Sequence, residues 1–348
     1  MKRKNLGEVV GFVLAASGLL AGVGQVTATV NIALVPVGDA GNVADTTGYG
    51  AVNYTYNIGK YEVTAGQYTA FLNAVAKIDT YGLYNPLLGA MANATKIQRT
   101  GLAGDYHYTV AADYADRPVN YVNFWEACRF TNWLQNGQKV GIQDATTTES
   151  GVYSLNGVTN PSNTSVTRNA GWKWAVPSED EWYKAAYYKG GGSNAGYWLY
   201  PTGSNTAPGR DLSDLLGNNA NFNSGSGSYP IDTIYYTTVG GDFQNTVGAC
   251  GTFDQGGNVE EWNEAILQSG TYRGLRGGTF DLGSSYMISS FRWGVQPDNF
   301  NSGNGFRVVQ AVEAPEPASI GFLGLGVIGV LVRRRNPARH NTQSQTAI

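Results

Sequence analysis

Cysteine, histidine and charge are all scarce in this chain of 348 residues. It holds two cysteines and two histidines, and only 14% of its residues are charged. Two cysteines are too few for a disulfide scaffold. Cys128 and Cys250 form either one bridge or two buried, unpaired small hydrophobes. His340 lies near the C-terminus, so the body of the chain has His107 alone. That argues against a histidine-rich zinc site and leaves a Ser-His-Asp triad a single candidate base. His107 sits in Asp105-Tyr106-His107-Tyr108, a strand-like segment that suits a structural role. No short tandem period appears, which argues against a solenoid.

Long apolar runs occur only near the two ends. Met1-Lys2-Arg3-Lys4 is basic, an apolar stretch runs from Val9 to Val23, and Val26-Thr27-Ala28 supplies small residues. Residues 1–28 therefore read as a cleaved secretory signal. The run is short for a membrane span and is broken by Gly11, Gly18 and Gly22. At the other end Pro315-Glu316-Pro317 leads into the uncharged residues 318–332 and then Arg333-Arg334-Arg335. Flanking arginines let so short a run sit in a membrane by snorkelling. This order resembles the PEP-CTERM sorting signal. The resemblance implies transient anchoring through 318–332, removal of the tail by an exosortase, and delivery to the cell surface or extracellular matrix. Residues 313–335 form that tail, and 336–348 read as disordered.

Residues 1–28 carry a net +2 and residues 318–348 a net +4, so without them the overall −3 becomes −9. An acidic body is a poor partner for nucleic acid, whose phosphates need clustered Lys and Arg. Glycine and tyrosine are abundant, at 47 and 22 residues, and asparagine is frequent. This composition describes a loop-rich fold and not a helix bundle.

Three helices carry capping-box starts. Thr64 to Gln67 opens the first, with Tyr68, Phe71, Leu72 and Val75 on one apolar face. Asn123 to Glu126 opens the second, which Ala127, Cys128, Thr131 and Leu134 line and Asn136-Gly137 stops. Ser178 to Glu181 opens the third, lined by Trp182, Ala185 and Ala186. Short strands are expected at Tyr54–Ile58, Trp172–Val176 and Phe306–Val309. Residues 141–170, 190–228 and 294–304 are the loosest stretches.

Six motifs follow in order. They are Ile58-Gly59-Lys60-Tyr61-Glu62-Val63-Thr64, Arg117-Pro118-Val119-Asn120-Tyr121-Val122, and the run Trp174 to Trp182. After these come the run Phe253 to Trp262, Arg276-Gly277-Gly278-Thr279-Phe280, and Gly305-Phe306-Arg307-Val308-Val309. The succession resembles the formylglycine-generating enzyme, or sulfatase-modifying factor, superfamily. It spans residues 52–312, with 29–51 as a lead-in. The resemblance implies an α+β fold, C-type-lectin-like, with little regular secondary structure.

In that superfamily, enzymes that make formylglycine use two copper-binding cysteines just after the Arg-Gly-Gly segment. Soft thiolates suit Cu(I). Carried over, those positions fall on Leu282 and Met287, while a neighbouring hydroxyl is kept as Thr279 and an arginine as Arg292. Without the thiolate pair a copper oxidase has neither nucleophile nor metal site, so the reading is a degenerate active site and no copper. Asp254, Glu260, Glu261 and Glu264 cluster in sequence, and Glu260 and Glu264 are expected to be solvated.

Calcium takes several hard oxygens on a tight turn. Asp254 and Glu261 stand seven apart around Gly256-Gly257, which lets the chain fold back. The resemblance implies one calcium site at Asp254, Gly257, Val259 and Glu261, glycine and valine acting through carbonyls. It implies a second at Asn221, Phe222, Asp232 and Ile234. The alternative is that Asp254 and Asn258 only hold a turn. Trp198, Tyr200, Tyr235, Tyr236 and Trp293 lie in loops, where aromatic rings can stack on sugars or proteins. The expectation is an exported, calcium-stabilised binding or structural domain taking a polysaccharide or protein ligand. The rival is an oxidase that modifies a cysteine of exported substrates.

Overall fold

Each capping box forms where the sequence places it. Thr64, Asn123 and Ser178 accept the backbone N–H three residues on, and Gln67, Glu126 and Glu181 reach back to the cap. The structure, a computed structural model, describes residues 29–194, 196–225, 231 and 234–312. The signal segment, the sorting tail, residues 336–348 and Asp232 lie outside the described residues. Among those described, no helix is long and apolar enough to cross a membrane.

Three strands lie in the first sheet's N-terminal and central part: β1 (Leu34–Val37), β2 (Tyr56–Gly59) and, further on, β5 (Trp174–Ala175). Helix α1 is Ala65–Val75. Short helices α2 (Leu87–Ala90) and α3 (Ala112–Ala115) flank the hairpin of β3 (Gln98–Thr100) and β4 (His107–Thr109). Helix α4 is Phe124–Gln135 and α5 is Glu179–Tyr187. The remaining strands are β6 (Glu260–Leu267), β7 (Tyr272–Arg276), β8 (Trp293–Val295), β9 (Asn304–Gly305) and β10 (Val309–Ala311). The first sheet has the order β1-β2-β10-β5, and a second has the order β8-β7-β6-β9. Short strands and long connections make this an α+β fold with little regular secondary structure.

The core sits between α1, α4 and the first sheet. Tyr68, Phe71, Leu72 and Val75 are all buried, as the spacing of α1 requires. Phe71 meets Phe130 edge-on at 5.3 Å, and Phe130 meets Phe306 at 5.4 Å. Such pairs add about 0.5–1.5 kcal/mol beyond their buried area.

Two expectations change. Helix α4 is buried on every side from Phe124 to Leu134, not on one face. The reason is the segment that looked loosest. Glu149 takes a bidentate pair from Arg129 at 2.8 and 2.9 Å, and Asn132 binds Thr148 and Tyr153, so the loop after residue 141 covers the helix. Residues 306–308 are not a strand: they cross from β9 in one sheet to β10 in the other. Their backbone is still held, because the Phe306 carbonyl accepts from Val63 and the Val308 carbonyl from Gly59.

Candidate functional site

The second sheet gathers the segments that carry chemistry. Strand β6 pairs antiparallel with β7, Glu261 opposite Arg276, and parallel with β9, Glu260 opposite Asn304. At the end of β7, Gly277 and Gly278 take φ of +106° and +68° and turn the chain back. A Cβ on Gly277 would stand 2.8 Å from the Gln255 carbonyl. Arg276 donates to Glu179 at 2.9 Å, and Arg292 grips the same carboxylate at 2.6 Å, so both arginines clamp α5 to this turn.

The turn delivers Thr279, Asp281 and Leu282 to one end of the sheet. There they meet Glu260 from β6, Trp293 from β8 and Asn304 from β9 around a cleft of about 280 Å³. Thr279 donates its hydroxyl to Asp281. Glu260 is only 5% exposed, contrary to the solvated position expected of it, and its Oε1 has no partner. Burial, and then the charge of Asp281, push its carboxyl up to about 7. Glu264 is not solvated either: it accepts from Arg168 and Tyr153. Glu260 is covered because residues 260–263 of β6 are buried in succession, and Glu264 because Arg168 and Tyr153 reach it, neither of which strand alternation alone reveals.

The four degenerate positions do not share one pocket. Thr279 and Leu282 line the cleft. Met287 is fully buried with Tyr200, Ala220 and Phe222, and Arg292 belongs to the clamp on Glu179. Neither cysteine replaces a missing thiolate. Both are free: Cys128 is inside α4, and Cys250 lies against the Lys184 carbonyl. Burial pushes the Cys250 thiol up to about 11 and Cys128 higher still. Neither thiol is poised to ionise at neutral pH. His107 lies on β4, exposed beside Asp105. Of the aromatics expected in loops, Tyr200 is buried, Tyr235 packs on Tyr114 and Tyr236 on Phe280, while Trp293 lies not in a loop but on β8, paired with Leu275, and is 52% exposed at the cleft.

At the first calcium position, Asp254 takes φ +58° and accepts the Gly241 N–H at 2.6 Å. Burial pushes its carboxyl up to about 6. Gly257 takes φ +81° where a Cβ would stand 2.2 Å from the Asn221 carbonyl. Asn258 accepts from Thr238 and Asn221, so it ties the turn to two other segments. Val259 is buried. Glu261 is spent elsewhere: Arg307 takes both oxygens at 2.5 and 2.6 Å, and the Trp182 indole donates at 2.7 Å. The acid with free oxygens is Glu62. It is 3% exposed, both its oxygens lack partners, and burial followed by Asp254 raises its pKa well above the usual carboxylate range. In the sequence it is the acid of the short link Lys60-Tyr61-Glu62-Val63-Thr64 from β2 to α1.

At the second position, Asn221 donates its amide to Tyr236 and Asn258, while its Oδ1 is buried without a partner. A free hard oxygen there fits a calcium ligand. Phe222 is buried beside it, and Ile234 is exposed with its carbonyl accepting from Tyr114. Among the described residues no three His, Cys, Asp or Glu side chains converge on one point. Asp232, the carboxylate of the second set, lies outside the described residues, and the described members of that set offer amide and carbonyl oxygens. In the first set Glu261 is committed to Arg307.

The sulfatase-modifying factor enzyme 1-like domain matches residues 35–312. The chain belongs to this family. The PEP-CTERM protein-sorting motif matches residues 313–335, so this sulfatase-modifying-factor protein carries the mark for exosortase-type sorting and export to the cell envelope. Among solved structures, CarF is similar at a TM-score of 0.51 with 20% identity, covering 81% of this chain and 99% of that one. Treponema denticola variable protein 1 is similar at 0.50 with 18% identity, covering 82% and 97%. These likenesses concern the fold. No curated protein matches the chain.

Proposed function

We propose that this sulfatase-modifying-factor domain serves at the cell surface or in the extracellular matrix as a binding module, not as a formylglycine-generating oxidase, and that calcium stiffens it. One observation carries the reading. A cleft of about 280 Å³ stands beside Thr279 and Leu282, yet both cysteines of the chain lie elsewhere, in α4 and beside Lys184. A copper oxidase needs converging thiolates. The cleft instead presents carboxylates, amides and an exposed indole, groups that hold a ligand.

The test is aerobic incubation of the copper-supplemented domain with a Cys-x-Pro-x-Arg peptide, followed by mass spectrometry. Unchanged peptide is the expected result, and conversion of its cysteine to formylglycine overturns the reading. For calcium, support comes from the free oxygens of Asn221 and Glu62. Calorimetric titration of the chelator-treated domain should give saturable binding and a higher melting temperature. No heat and no shift at about 1 mM calcium, the weak end for extracellular sites, would remove calcium from the proposal.

A further inference from the structure

The cleft at the end of the second sheet holds acids without a cation of its own. Among the described residues, none that lines it is Lys, Arg or His. Arg292, its neighbour in sequence, is held by Glu179. Glu260 is buried with its Oε1 unpaired, and Asp281 lines the same cleft. A buried acid without a partner is costly, and an incoming cation relieves that cost. Thr279, Asn299, Asn301 and Asn304 add hydroxyl and amide groups to the lining, and the remainder is mostly apolar or aromatic. Leu275, Leu282 and Val295 form a hydrocarbon wall, and Tyr286 and Trp293 stand at the rim. Phe291 stacks on Trp293 at 6.3 Å, with ring planes 10° apart, which props the indole.

We propose that this cleft binds an organic cation, an ammonium or guanidinium head on a short hydrocarbon stem. The head pairs with Glu260 and Asp281. The stem lies on Leu275 and Leu282, and the Trp293 ring covers the charge through its π face. A bare metal ion gains nothing from the apolar wall, and an anion would face two carboxylates. The cleft shares Trp293, Val295 and Asn299 with a broader groove of about 870 Å³, which accommodates the remainder of a larger ligand. This deepens the binding reading above and rests on it.

The test is calorimetry or ligand-observed NMR on the exported domain with butylammonium, butylguanidinium, butanol, butyrate and glucose. Either cation should bind, and butanol, butyrate and glucose should not. Asp281→Asn and Glu260→Gln should each weaken the cation about thirtyfold, as removing one partner of a desolvated charge pair does. Trp293→Ala should weaken it about fivefold. Melting curves report whether each variant folds. If Glu260→Gln does not, Asp281→Asn and Trp293→Ala, at less buried positions, carry the test. Binding of glucose or butanol as tight as the cations overturns the inference, as do cation binding indifferent to Asp281→Asn, competition by calcium at the same site, or no cation binding. Formylglycine production would overturn the parent reading instead, whatever the amines do, so the two failures are distinguishable.

Discussion

Arg307 and Glu261 form a fully buried bidentate pair, Nε to Oε2 at 2.5 Å and Nη2 to Oε1 at 2.6 Å. The guanidinium also donates to the carbonyls of Gly59 and Phe253, so one side chain ties together both sheets and the turn at residue 254. Arg307→Met would strand the carboxylate in the interior. We expect a loss of about 3–5 kcal/mol in denaturant unfolding, with or without calcium present. A loss that calcium largely restores would show that Glu261 serves the ion as well as the arginine.

Asn221 distinguishes the two calcium positions. Its unpaired Oδ1 is the free oxygen of the second set. Asn221→Leu should abolish the calcium-dependent rise in melting temperature, while the metal-free domain still unfolds cooperatively. An unchanged calcium response would transfer the ion to the position of Asp254 and Glu62.

Glu126 predicts a pH dependence of stability. Its Oε2 accepts the Asn123 N–H at 2.8 Å, its Oε1 is buried without a partner, and burial holds its pKa well above the usual range. The unfolded chain releases this proton near the ordinary value of about 4.3, before the folded chain does. Below that value the group is protonated in both states and adds no ionisation penalty, and stability is lost as pH rises above it. Glu126→Gln keeps the cap acceptor and removes the titration. It should match the wild type near pH 3.5 and exceed it at pH 7 in urea unfolding. Equal stability at both pH values would contradict this account.

Gly257 should tolerate no side chain. At φ +81° with a backbone oxygen 2.2 Å from any Cβ, Gly257→Ala meets both strain and overlap. About 2–4 kcal/mol of destabilisation is expected from calorimetric melting, against less than about 1 kcal/mol at Gly38, where φ is not left-handed and a Cβ would meet nothing within 4 Å.

The three long helices were legible because their signals are local. A Thr, Asn or Ser accepting from the residue three along is written within four positions, and the face of α1 follows from helical spacing alone. The family and the sorting tail were legible for a similar reason: ordered motifs and a charge-bounded apolar run need no knowledge of contacts. What sequence could not decide was which acids face which partners. Glu260, Glu261, Glu264 and Glu62 look alike in sequence. Tertiary packing assigns Glu261 to Arg307 across 46 residues and Glu264 to Arg168 across 96, and leaves Glu62 and Glu260 each with unpaired oxygen. The cost of burying a charge depends on what surrounds it in space, and strands this short draw their neighbours from distant segments. The same holds for Leu282 and Met287. Sequence determined that no thiolate stands there; only the fold decided that one lines an acidic cleft and the other is sealed beneath Phe222.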